Sequence, residues 1–313
     1  MTPSLPPVQF LQPLLELLAQ TDPWTWLRVL TAAAFYASAL VAVGGLLFRL
    51  VFGGNPLLDR ATGLRTLVPT TASLALLLLL LQWPLQAGFL GGGSWAAAFD
   101  PGLLALVFDG ATGQRLLLAG AGLLLMLGSW IETERWPGLG AAASLPGAAL
   151  VLLSFTLVGH STGEPRLLLA GLLLLHLGAV AFWIGALIPL YRISASPPLS
   201  EAAGHVLQRF GRLATPVVVI LIAVALLLAW RLMEGWTPLL HSAYGQVLLL
   251  KIALLGLLLG LAGLNRWILV PAFQSDAPRE RQRLRASIFA EGVLMVLILL
   301  VTAFLTTTVS PSQ

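Results

Sequence analysis

The chain has 313 residues, of which 58% are hydrophobic and 10% charged, and its formal net charge is +4. Against about 25% charged residues in a typical soluble domain, that balance, with a mean hydropathy of +0.92, excludes an ordinary soluble fold. The chain has no cysteine, which excludes disulfides, thiolate metal ligands and Cys-linked haem.

The first 23 residues lack a basic n-region and are punctuated by prolines, so they do not read as a secretory signal. Residues 8–19 are apolar but interrupted by Pro13 and too short to span; they are expected to lie along a membrane surface. A spanning helix needs about 20 apolar residues. Eight runs approach that length: 25–48, 66–90, 115–131, 139–159, 167–191, 213–233, 244–264 and 286–308, the third being the shortest. None alternates polar with apolar residues as a barrel strand would. The predicted fold is therefore all-α, a polytopic transmembrane helical bundle of about eight helices.

Between the second and third runs lies the longest loop, 91–114, where Trp95 and Phe99 at i,i+4 predict a short interfacial helix. In the second run Pro84 sits beside Gln82 and Gln86, which can satisfy the carbonyl that the proline frees or line a polar cavity. Gly256 and Gly260 in the seventh run form a small-xxx-small pair, expected to pack closely within the bundle. Arginines concentrate after the first, third, fifth and seventh runs (Arg49, Arg60 and Arg65; Arg135; Arg192, Arg209 and Arg212; Arg266 and Arg279 to Arg285). The positive-inside rule puts those loops in the cytoplasm and both termini in the periplasm. The pI of about 10.3 is thus a matter of topology and implies no nucleic-acid partner, because the arginines are juxtamembrane.

Only four histidines occur, and three gather toward the outer face: His160 ending the fourth run, His176 inside the fifth, and His241 before the seventh. An ionisable side chain within a spanning helix marks an ion, proton or cofactor site by default, and imidazole suits copper, zinc, iron and nickel. At 1.5 Å per residue His176 lies about 15 Å below Arg166, whereas metal–nitrogen bonds are about 2 Å. His160 and His176 therefore share one ion only if the turn at 161–165 dips into the membrane; otherwise they are successive stations on a path. Met233, ending the sixth run near His241, offers a thioether suited to Cu(I). Lys251 and Glu291 are further intramembrane charges. Glu291, read as lying near the inner rim, is expected to pair with an arginine of the preceding segment or to line an inner cavity on an exit pathway. No nucleophile–base arrangement and no phosphate-binding glycine loop stands out, so the chain reads as a non-enzyme.

Several fragments taken together resemble the CopD family of copper-resistance membrane proteins. They are Gly159-His160-Ser161, the stretch His176 to Gly185 containing Phe182-Trp183, Arg209-Phe210-Gly211-Arg212, Tyr244-Gly245-Gln246 with Lys251, Asn265-Arg266, and the Arg285 to Glu291 spacing. The resemblance covers 154–308, leaving 1–153 as the N-terminal helices of what reads as one integral-membrane domain. It implies a bacterial inner-membrane protein that imports copper, as Cu(I) or Cu(II), from periplasmic-side histidines, with a periplasmic copper-binding protein as a possible donor. The alternative class is a b-type haem-binding redox protein, which needs two histidines at matched depth.

The charge asymmetry generates a topological prediction. Reporter fusions at Ser196 and Asp276 should give cytoplasmic signals; a periplasmic signal at either position overturns the assigned orientation.

Overall fold

The computed structural model describes residues 12–54, 60–132, 140, 142–158, 165–195, 200–232, 242–273 and 277–308, and among these no strand occurs. Helix α1 is Gln12–Gln20, α2 Pro23–Phe52 and α3 Leu64–Leu90. The loop that follows carries α4, Trp95–Ala98, and α5, Pro101–Asp109. Then come α6 (Ala111–Glu132), α7 (Leu145–Ser154, ending in a 3₁₀ turn, Phe155–Leu157), α8 (Arg166–Ile193) and α9 (Ser200–Leu232). The last two helices are α10, Ala243–Phe273, and α11, Pro278–Thr308.

Seven described helices are long and apolar enough to cross a membrane: α2, α3, α6, α8, α9, α10 and α11. The chain is thus an all-α polytopic bundle. Two of the runs differ from their expected extent. The third, shortest in the sequence, becomes the 22-residue α6 because Ala111 to Gln114 extend it helically. In the fourth, a turn at Ser144 and Pro146 in the first turn of α7 restart the helix, and the described apolar segment is only Leu145–Leu157.

One end of the bundle, called upper here, holds Pro23, Leu90, Arg166 and Ala243. It is tied by the Trp24 indole donating to the Leu85 carbonyl at 2.9 Å and by Arg28 donating to Gln86 Oε1 at 2.8 Å. Gln86 thus accepts from an arginine through its amide oxygen. Asp22 caps α2 by accepting from the Thr25 hydroxyl and backbone N–H, bonds that hold its carboxyl below the usual range. Helix α1 has no buried residue, and its Leu14 N–H donates to Gln246 Oε1 at 3.1 Å. At the upper end Trp95 and Phe99 flank α4 and are 59% and 65% exposed, as interfacial aromatics are. At the lower end arginines lie on rings: Arg49 on Trp130, Arg209 on Phe52 and Arg285 on Tyr191.

Helix α2 is the most buried span, and its Phe35, Leu40 and Leu46 join Leu123, Met126, Ile193 and Leu284 of other helices in one core. Exposed leucines such as Leu77, Leu117, Leu226 and Leu257 cover the outside. In water that surface would aggregate, and in lipid it is solvated.

Two glycine pairs set the closest approaches. A Cβ on Gly44 of α2 would overlap the Ala181 carbonyl of α8, and one on Gly185 would overlap the Gly44 backbone. A Cβ on Gly122 of α6 would sit 2.6 Å from the Gly147 carbonyl of α7. Gly256 and Gly260, expected to be such a contact, are not one: nothing lies within 4 Å of either Cβ position. They line an apolar groove of about 650 Å³ with Leu257, Leu261, Phe289 and Val293. The close packing they were expected to provide is supplied by the other pairs.

Gly185→Ala should lower stability by about 1–3 kcal/mol or more, because its methyl meets backbone that cannot move aside. A thermal melt of the detergent-solubilised protein reads this directly, and an unchanged midpoint would show that α2 and α8 are not held as described.

Candidate functional site

Placing the expected residues gives a divided result. His160, His241 and Met233 lie outside the described residues. His176 and Glu291 are described, and they mark two levels of one polar column in the second half of the bundle.

The upper level is His176, ten residues after Arg166 on α8 and so about 15 Å along the helix. Its Nδ1 is buried and has no hydrogen-bond partner among the described residues. The Lys251 ammonium of α10 is near enough for its charge to act on the imidazole. Among the described residues no group of three or more His, Cys, Asp or Glu side chains could hold a metal.

The lower level is Glu291, 4% exposed. Of its two expected surroundings, an arginine partner or an inner cavity, the first is not found among the described residues. Helix α11 begins at Pro278, its first turns carry the charged residues Arg279 to Arg285, and Glu291 lies five residues, about 8 Å, into the apolar part that follows. Its partners are neutral: the Asn265 amide of α10 donates to Oε1 at 2.6 Å, and the Trp183 indole of α8 donates to Oε2 at 3.3 Å. Three helices thus meet on one carboxyl group.

Local sequence explains each position. Trp183 follows His176 by seven residues, two helical turns, so both lie on one stripe of α8. Asn265 opens a π-helical segment, Asn265–Leu269, inside α10; the wider turn re-aims the side chains around it, and such segments are frequent at functional sites. Asn265 Oδ1 and Ser287 Oγ, the latter one turn before Glu291, are buried without a partner among the described residues.

The residues next to Trp183 and Asn265 in sequence touch α9. Phe182 stacks on Phe210 of α9 at 5.4 Å. The Arg266 side chain crosses Gly211, where a Cβ would lie 2.8 Å from its Cδ. Trp183 and Asn265 had been noted only as fragments of a pattern. Their role as partners of Glu291 was missed, although an asparagine inside an apolar helix is itself a signal.

A second buried cation stands apart. Arg115 of α6 lies over the rings of Phe35, Phe155 and Tyr36 at 4.9, 5.7 and 6.0 Å, and its Nε and one terminal nitrogen have no hydrogen-bond partner among the described residues. Cation–π attraction is its described compensation.

Known proteins match both halves of the chain. The family described as Copper resistance protein D matches residues 204–305, and that described as Copper resistance protein D-like, N-terminal domain, matches 21–166. Copper transport protein CutJ of Bacillus subtilis is 26% identical over 292 residues, covering 90% of this chain and 52% of that protein. Copper resistance protein D of Pseudomonas syringae pv. tomato is 29% identical over 302 residues, covering 90% of this chain and 96% of its own length. Inner membrane protein YebZ of Escherichia coli is 28% identical over 223 residues, 68% of this chain and 71% of that one. The chain spans about half the length of the Bacillus relative. No solved structure matches it. The chain belongs to the copper resistance protein D family.

Proposed function

We propose that this chain is an inner-membrane copper transporter that takes the ion from histidines on the periplasmic side and passes it inward through the second half of the bundle. The family supports copper as cargo, since two of the relatives above are named for copper resistance or copper transport. The multi-pass architecture and the relative named as an inner membrane protein support the location. The arginine-rich lower end supports the orientation, with the upper end periplasmic.

The observation that carries the reading is the buried, unpartnered Nδ1 of His176. An imidazole nitrogen at that depth without a protein donor is costly and is available as a metal ligand. A single imidazole beside the Lys251 ammonium binds a cation weakly, which suits a path: an ion must leave each station it enters. His160, His241 and the Met233 thioether, placed by sequence toward the same end, are proposed as capture ligands preceding it. A periplasmic copper-binding protein would be the donor. Glu291 is the polar group on the inner side of His176 and is proposed to govern exit.

Alanine substitution tests this. His176→Ala should lower copper bound to the purified protein by at least about tenfold, since even outer-shell partners of a metal are worth about 10–100-fold in affinity. Cellular copper accumulation should fall with it at unchanged protein abundance. His160→Ala should have the same sign and a smaller size, because a loop or water can partly replace a ligand at the interface. Copper content unchanged in both variants would reject the metal path. A Soret band in the purified protein would point to haem ligation instead.

A further inference from the structure

The Glu291 carboxyl is held by N–H donors, and two of the residues beside it carry unpartnered oxygens among the described residues. Both of its own oxygens accept from neutral N–H groups, Asn265 at 2.6 Å and Trp183 at 3.3 Å. The charged and titratable side chains on the packed helices are Arg28, Tyr36 and Arg49 on α2, Arg166, His176, Tyr191 and Arg192 on α8, Tyr244, Lys251 and Arg266 on α10, and Arg279, Glu280, Arg281, Arg283 and Arg285 on α11. None of them forms an ion pair or hydrogen bond with Glu291 among the described residues. A carboxylate held only by neutral donors in a lipid-embedded bundle keeps part of the cost of its buried charge, which two hydrogen bonds offset incompletely. One positive charge removes that cost.

Two further oxygens point to where that charge sits. Asn265 Oδ1 is a pure acceptor, it is buried without a partner, and it belongs to the same amide that donates to Glu291. Ser287 Oγ, one turn before Glu291 on the same face, is also buried and unpartnered. Five hydroxyls elsewhere in the spans, Thr31, Ser38, Thr71, Thr302 and Thr308, turn back to donate to the carbonyl four residues earlier; that of Ser287 does not. A carboxylate, an amide oxygen and a hydroxyl form a hard donor set, suited to hard cations, whereas copper favours imidazole and sulfur.

We propose that Glu291, Asn265 and Ser287 form an all-oxygen site for a small, hard, monovalent cation, a proton or a sodium ion. The site is chemically distinct from the nitrogen ligand above it. Its use as the coupling ion rests on the transport reading; the binding itself does not.

The test uses the full chain in lipid nanodiscs without copper, followed by infrared difference spectroscopy of the buried carboxyl C=O stretch. One arm steps the pH in choline chloride. The other replaces choline by sodium at fixed pH. The expected result is a band that Glu291→Gln abolishes and that responds in at least one arm. Response to pH alone identifies a proton, and response to sodium at fixed pH identifies sodium. Asn265→Ala should shift the midpoint about tenfold, the worth of one hydrogen bond to a charged group; this variant also serves if Glu291→Gln does not fold. A band unmoved in both arms, or a midpoint indifferent to Asn265→Ala, overturns the proposal. Proteoliposome copper uptake under imposed pH and sodium gradients then separates the two claims: a responsive site with no copper uptake rejects the transport reading and leaves the cation site standing.

Discussion

A carboxyl group buried inside a membrane-spanning bundle has no water to fall back on, so its neighbours must solvate it. Glu291 is met by an indole from α8 and an amide from α10. Those two bonds fix how α8, α10 and α11 stand relative to one another more tightly than leucine contacts can. Apolar side chains slide past each other at little cost in lipid, where tails are as apolar as leucine, whereas a hydrogen bond between buried polar groups has one register. The rest of the second half follows. Trp183 places His176 two turns above on the same stripe, and Asn265 sets the point where α10 changes pitch.

The remainder of the scaffold holds this column by shape. Helix α2 presses against α8 through Gly44 and Gly185 with no side chain between them. Small residues at such a contact let backbones approach and maximise dispersion where no hydrophobic drive between helices exists. The same device joins α6 to α7 at Gly122 and Gly147. Aromatic rings at the lower end receive the arginines that the loops supply, so the cations that orient the chain also seat it.

Much of this architecture is legible in the sequence because spans longer than about 20 apolar residues have few alternatives. Seven of the eight expected spans could be read from run length alone. Glu291 was singled out as an intramembrane charge, but Arg279 to Arg285 before it were read as a loop. Those residues are helical, and hydropathy cannot distinguish a polar helical turn from a loop. Its partners were hidden for another reason: Trp183 and Asn265 lie 108 and 26 residues away, and only packing brings them together. The roles of Gly256 and Gly260 were misread because a small-xxx-small pattern states that close approach is possible, not which neighbour uses it.

The π-helical segment at Asn265–Leu269 has one more effect. A turn that accommodates an extra residue advances the helix by about 100° relative to an uninterrupted one. On a wheel of 100° per residue Leu257, Gly260, Trp267 and Ile268 nevertheless fall within one sector. The exposed stripe is therefore continuous in sequence and, because the π-helical turn winds less per residue, it turns in space as it passes Asn265–Leu269. An insertion or deletion of one residue here would be read by every side chain beyond it as a change of direction, though the length of the span would hardly alter.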